Sequence, residues 1–339
     1  RVPGGRDPSR PGRGGRRRPG PPGRRHDRAG AGDPGPPVDA GVVSGSEAND
    51  VAWRIARAVT GGTGGIATDW AYHGVTTAIH DLTPEEWGSR NAPDHVRTWR
   101  PTEPADFAAA LEALAEAGHR PAAAIMDAVL TSSGIVTLAP GVAQDLVRQT
   151  HEAGALWIAD EVQSGFGRTG TGMWGYQHLG ITPDIVTLGK PMGNGMPVAA
   201  VVTRRDLAER FMKADFFSTF GGNPLAMSAA KAVLEVIDDE RITQNAREVG
   251  SYLGDLLRAL ASGSPALGEV RQIGLAIGVD TTSEATAKDI ANAMRDAGVL
   301  IGTTGRAGNV LKIRPPLVFR RTHADQLVAA LRQAISAAA

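Results

Sequence analysis

Two stretches decide the fold: Ala155-Leu156-Trp157-Ile158-Ala159-Asp160-Glu161 and Asp184-Ile185-Val186-Thr187-Leu188-Gly189-Lys190. Each is an apolar run of strand length that stops at a group able to do chemistry. A run too short for a helix, with no polar alternation, reads as a strand buried on both faces. Such strands are the staple of mainly parallel α/β sheets, whose ligands bind beyond the carboxyl ends of the strands. Asp160 and Lys190 stand at those ends, so each can project into one crevice.

The same alternation extends outward. Ser46 to Thr60, Asp106 to Ala117 and Pro140 to Ala153 read as helices, and Ile66–Thr68, Ala122–Val129 and Val198–Thr203 as strands. Gly61-Gly62-Thr63-Gly64-Gly65 follows a helix rather than a strand, so it reads as a helix stop and not a dinucleotide loop. Gly189-Lys190 is no P-loop, because Pro191 follows and no Gly stands five residues before Gly189. A long helical stretch runs from Pro224 to about Leu260 with a break near Arg241. Val270–Val279, Ser283–Ala297, Val310–Phe319 and His323–Ser336 then alternate strand and helix. The expectation is an α/β fold: a large domain over 41–262, its mostly parallel sheet flanked by helices, plus a smaller C-terminal α+β domain over 263–339.

Residues 1–40 read differently. Gly, Pro and Arg fill 29 of the forty positions and no apolar period exists, so this stretch is expected to be disordered and outside the fold. It suits a basic arm for nucleic acid or anionic lipid, or an off-frame translation of a GC-rich gene, and the second is preferred. It carries ten Arg and four Asp. The 26 basic and 32 acidic residues that remain leave the body near −6, which argues against a nucleic-acid partner. Absence of Cys excludes disulfides, thiolate metal sites and Cys nucleophiles, and no metal set is read. No apolar run reaches bilayer length and no signal-peptide core is visible, so a cytoplasmic protein without membrane partner is expected.

Lys at one strand end and Asp at another supply an imine-forming amine and a partner for a ring nitrogen, the two functions pyridoxal phosphate needs. Ser44-Gly45-Ser46 at a helix start offers free N–H groups and hydroxyls for a phosphate. Taken singly, each element has a plainer reading: an N-cap, a capped Asp-Glu turn, a solvated Gly-Lys-Pro turn.

Five motifs in order bear on that choice: Ser44-Gly45-Ser46-Glu47-Ala48-Asn49, Tyr72-His73-Gly74, Asp160-Glu161-Val162-Gln163-Ser164-Gly165-Phe166-Gly167-Arg168, Leu188-Gly189-Lys190 and Ser218-Thr219-Phe220-Gly221-Gly222-Asn223-Pro224. From about Val42 onward the chain resembles the class III aminotransferases, pyridoxal-phosphate enzymes of fold type I, near the branch of alanine–glyoxylate type 2 enzymes and phospholyases. The resemblance implies a transaminase moving an amino group from an amino acid or amine to an oxo acid through a Schiff base on Lys190. Lys190 would also shuttle the proton, and Asp160 would partner the ring nitrogen. Val162 and Tyr72 would lie on the two ring faces, with core packing their plainer role. Gln163 would bond the ring hydroxyl, and Gly45 and Ser46 the phosphate. Thr219 would complete the phosphate site of a neighbouring subunit, making a homodimer the smallest complete unit. His73 is expected to be structural.

The chain also departs from the family pattern. Lys312 stands where many members bind a substrate carboxylate with Arg, and Arg314 is expected to point to the other strand face. Ser132 stands where a Glu is common, and Asp127 where Glu is usual. Fewer residues precede the Ser-Gly-Ser-Glu motif than in the family, so the chain is expected to be N-terminally truncated. Lys312 and Ser132 also fit a phospholyase acting on a phosphorylated amino alcohol. The early truncation fits a catalytically silent homologue.

Overall fold

The computed structural model describes residues 38–88, 91–212 and 216–338. Eleven strands and nine α-helices occur among them. In chain order they are β1 (Val38–Val42), α1 (Gly45–Thr60), β2 (Gly64–Thr68), α2 (Thr77–His80), β3 (Val96–Trp99), α3 (Asp106–Glu116), β4 (Pro121–Asp127), α4 (Pro140–Glu152), β5 (Leu156–Asp160), β6 (Ile185–Leu188) and β7 (Ala199–Thr203). There follow α5 (Arg205–Phe211), α6 (Pro224–Asp239), α7 (Ile242–Ser262), β8 (Leu267–Ile273), β9 (Ala276–Thr281), α8 (Glu284–Asp296), β10 (Gly302–Thr304), β11 (Val310–Ile313) and α9 (Arg321–Ala338).

Seven strands form the large sheet in the order β1-β7-β6-β5-β4-β2-β3. The pairs from β6 through β5, β4 and β2 to β3 are parallel, and β7 and β1 add antiparallel to one side. Alternate residues of one strand feed opposite layers, as the pleat requires. Ile125 and Ile158 join the core under α1, whereas Ala124, Met126 and Trp157 join the core under α3 and α4. The sheet is thus covered on both faces, which is why its strands read as unbroken apolar runs.

Helix α1 shows why the Ser-Gly-Ser stretch is a helix start. Ser44 is extended and its hydroxyl accepts from the N–H of Glu47, and Glu47 returns a carboxylate to the N–H of Val43 at 2.9 Å. At the far end Gly61 takes φ +70°, where a side chain would be strained, and closes the helix as expected.

The second sheet is antiparallel, β10-β11-β9-β8, with α7 and α8 against it and α9 packed on those two helices. Leu253, Leu257 and Leu260 of α7 join its core, so the helix before the 262/263 boundary serves the smaller sheet too. The break near Arg241 is present: Arg241 has φ +53° and separates α6 from α7.

Four local expectations are corrected. The stretch read as lying outside the fold falls outside the described residues up to position 37, but Val38–Ala40 already belong to β1, paired with β7. Strand β3 went unread because Arg97 and Thr98 are polar at an edge position. Val270–Val279 is not one strand but a hairpin that turns at Gly274, with φ +53°. Finally, β11 stops at Ile313 because Pro315 and Pro316 cannot continue a ladder, so strand alternation does not reach Arg314. No described helix is long and apolar enough to cross a membrane.

Candidate functional site

Asp127, Asp160 and Thr187 are aligned in register at the carboxyl ends of β4, β5 and β6. Lys190 follows two residues after β6. Gly189 is extended there, and Lys190 opens a 3₁₀ turn with φ +35°. A non-glycine residue in that region stores about 1–3 kcal/mol of strain, a cost often found where a side chain must be aimed. A Cβ on Gly189 would already touch Gly45 and Val162, so the lysine turn packs against the start of α1.

One cavity of about 210 Å³ collects these groups. Gly45, Ser46, Tyr72, Asp160, Val162, Gln163 and Lys190 line it, together with Asn49, His73 and Asp127. Seven of the nine residues singled out from sequence are thereby brought together. The other two are not. Thr219 is exposed on the segment before α6. Lys312 is half-buried on β11 and outside this lining, although the fields of Glu85, Asp127 and Lys190 reach it.

Asp160 sits in a hydrogen-bond cage. Its Oδ2 accepts from Asn49 Nδ2 at 2.8 Å and from His73 Nδ1 at 2.7 Å, and its Oδ1 from the Val162 N–H at 3.0 Å. Asn49 is itself fixed, donating to the His73 carbonyl and accepting from Thr187 Oγ1 at 2.6 Å. Burial pushes the Asp160 carboxyl upward. The His73 hydrogen bond, Lys190 and the Val162 amide outweigh that push and hold it below the usual carboxylate range. Burial lowers the Lys190 ammonium, with Asp160 and Asp127 opposing and Arg314 assisting. That shift favours the free amine a nucleophile needs.

At the other end of the cavity, the N–H groups of Gly45 and Ser46 occupy the first turn of α1. They have no carbonyl a turn earlier to bond, and the helix dipole is positive there. Ser46 Oγ accepts from the Val75 N–H at 3.2 Å, which leaves its proton free to donate. A Cβ on Gly45 would lie 2.8 Å from Val162, and one on Gly74 2.6 Å from Ser46 Oγ. These two glycines let Val162 and Ser46 stand where they do.

The remaining wall is polar. Gln163 donates to Thr131 Oγ1 at 2.6 Å and accepts from Arg314. Arg314 therefore faces the site, against the expectation that it points away, because it lies past the end of β11. Ser132 donates to Glu85 at 2.6 Å. Burial and Arg314 push Lys312 down to about 8, with Glu85 and Asp127 opposing. Burial, Glu86 and Glu85 raise the Tyr72 hydroxyl. Glu161, next to Asp160, points away from the cavity and accepts from the N–H groups of Gly175 and Tyr176, both at 2.7 Å. Burial pushes it up to about 7.

Sequence reasoning left Asn49 and Thr187 unassigned, read His73 as structural and missed Glu85. Asn49 was findable: four residues after Gly45, it lies on the same helix face. Glu85 carries no sequence signal, since a loop brings it beside Ser132.

These groups fit pyridoxal phosphate on three counts. A caged carboxylate keeps charge inside the cavity, an amine of lowered pKa stands in the same space, and a glycine-lined helix start offers anion donors. The comparisons agree. The aminotransferase class-III profile matches residues 40–335. An Arabidopsis thaliana relative described as alanine–glyoxylate aminotransferase 2 homolog 2, mitochondrial, is 38% identical over 88% of this chain and 68% of its own. A Methanothermobacter thermautotrophicus acetylornithine aminotransferase is 36% identical over 86% of this chain and 73% of its own. Among solved structures, an Arthrobacter phospholyase in complex with phosphoethanolamine superposes with a TM-score of 0.85 at 39% identity, covering 88% of this chain and 77% of the other.

Proposed function

Since this chain belongs to the class III aminotransferases, a family of pyridoxal-phosphate enzymes, we propose that it moves an amino group from an amino acid or amine to an oxo acid, with Lys190 carrying the cofactor. The observation that supports this most directly is that Asp160 and Lys190 line one cavity whose far end is the start of α1. When bound, pyridoxal phosphate supplies an aldehyde for an amine and a ring that takes up electrons from the substrate's α-carbon.

The side chains divide the remaining work. Gly45 and Ser46 hold the phosphate through backbone N–H groups and the Ser46 hydroxyl. Asp160 keeps a proton on the ring nitrogen, and its cage of His73, Asn49 and the Val162 N–H keeps it ionised for that task. Val162 and Tyr72 would bound the ring, and Gln163, held by Thr131 and Arg314, would stand beside its hydroxyl. Lys190 would take the proton from the substrate's α-carbon and hold it on its amine for return.

A homodimer belongs to the same proposal. Thr219 lies outside the cavity lining of its own chain, and it stands among exposed apolar side chains, Phe217 at 85%, Phe220 at 72% and Leu225 at 68%. A patch of that kind fits a second copy, whose cavity Thr219 would complete. Cytoplasmic residence is proposed with it, and cell fractionation tests that point, since the Arabidopsis relative is described as mitochondrial.

One observation favours a second reading. Among the described residues the Lys312 side chain has no ion pair or hydrogen bond and the Arg314 side chain bonds only Gln163, so two cations near the site lack a carboxylate partner. Such a pair suits a phosphate, as on a phosphorylated amino alcohol. Incubating the cofactor-loaded protein with phosphoethanolamine and no oxo acid separates the readings. Steady phosphate release establishes the lyase, and a single turnover with amino donors establishes transfer. Absence of a visible cofactor band, or a band unchanged in Lys190→Ala, would establish a silent homologue.

A further inference from the structure

Four buried side-chain polar atoms lack a hydrogen-bond partner among the described residues: His73 Nε2, Trp87 Nε1, Ser133 Oγ and Trp157 Nε1. Two of them, from His73 and Ser133, belong to residues that line one small recess beside the main cavity. Its volume is about 10 Å³, the space of a single water. Thr68 and Asp127 line the same recess and add polar neighbours.

His73 cannot turn to find another partner. Its Nδ1 is held by Asp160, its carbonyl accepts from Asn49 at 2.7 Å, and its N–H donates to Thr83 Oγ1 at 3.2 Å. An ionised carboxylate only accepts, so Nδ1 carries the proton, and in the Nδ1–H tautomer Nε2 is an acceptor. Ser133 is held as well. Its N–H bonds the Leu130 carbonyl at 3.1 Å, and the neighbouring Ser132 carbonyl accepts from Gly305 and Thr304.

We propose that this recess binds one ordered water that donates to Nε2 of His73 and bonds Oγ of Ser133. Ser133 becomes a positioning residue for Asp160, acting through the water and the imidazole. A proton shared toward Nε2 makes the Nδ1–H a stronger donor, so the carboxylate in the cavity is held more firmly as an anion. The arrangement also accounts for a hydroxyl and a ring nitrogen that are both buried and otherwise unpaired.

Two measurements test it. A crystal structure resolving ordered water is expected to show density within hydrogen-bond distance of both Nε2 of His73 and Oγ of Ser133. An empty recess, or a water touching neither atom, overturns the proposal. In protein labelled with ¹⁵N-histidine, Ser133→Ala is expected to shift the Nε2 resonance of His73 and move its Nδ1–H proton, with the other histidines unchanged. An unmoved His73 overturns the proposal as well. If Ser133→Ala fails to fold, the wild-type structure alone decides. Both readouts are taken with and without cofactor, so a failure of the transaminase reading leaves them interpretable.

Discussion

Substituting Gly45 with alanine isolates the contact on which the cavity shape depends. A Cβ there would lie 2.8 Å from Cγ1 of Val162, closer than real Cβ atoms approach, and 3.0 Å from Cγ2, tighter than most. Val162 cannot yield cheaply. It is buried at 5%, its N–H is tied to Asp160, and its β-branched side chain is restricted at χ1. The added methyl therefore drives Val162 into the ring space or lifts the first turn of α1 away from the phosphate. Overpacking of this kind costs about 1–3 kcal/mol, which is about five- to 150-fold in cofactor affinity. Stability responds differently, because alanine is better than glycine in a helix by up to about 1 kcal/mol, which offsets part of the strain. Titrating pyridoxal phosphate into apoprotein and following the visible band gives the Kd, and thermal unfolding of apoprotein gives the Tm. The expected result is a large rise in Kd with a small change in Tm, and recovery of most of the affinity in Gly45→Ala/Val162→Ala. An unchanged Kd with a raised Tm would show that the helix start has slack, and the reasoning would fail.

Other perturbations follow from the same geometry. Asp160→Asn leaves one acceptor where three donors converge and removes the charge facing the ring nitrogen, so transfer activity should fall by at least about a hundredfold while the cofactor still binds; kcat with a saturating donor checks this. Lys312 is held at about 8, so it is charged below that pH and loses its charge as pH rises through it. KM for an anionic substrate should therefore climb between about pH 7 and 9 with kcat little changed, and Lys312→Arg should abolish the climb. The same depressed pKa means the buried ammonium opposes folding below about pH 8, and that opposition fades toward the ordinary value of 10.5; Lys312→Met should gain Tm at pH 7 and less at pH 10. Glu85→Gln removes a group that favours the charged form of Lys312, so the midpoint of the KM profile should move to lower pH.

How far the sequence reaches depends on what kind of force places each residue. The chemistry at the ends of β5 and β6 was legible because a strand buried on both faces cannot hide its polarity pattern. An apolar run that ends in Asp160 or in Gly189-Lys190 has one direction in which to present it. Gly45 and Ser46 were legible because helix starts have fixed geometry, and the break at Arg241 because the apolar period stops there. The polar wall was not. Glu85 meets Ser132 across 47 residues and Arg314 meets Gln163 across 151. Such contacts depend on where loops return, which no local period encodes. The Arg314 error has the same root. Alternation is a rule for residues inside a ladder, and Pro315-Pro316 ends this ladder at Ile313, so the side chain was assigned to a face that no longer exists. His73 shows the opposite failure: its position next to Tyr72 was plain, but only the fold brings Nδ1 within 2.7 Å of a carboxylate 87 residues away. Seven residues that line the cavity were therefore readable from motif chemistry. Residues that tune those groups, or that face the substrate, became visible only once distant loops were placed beside one another.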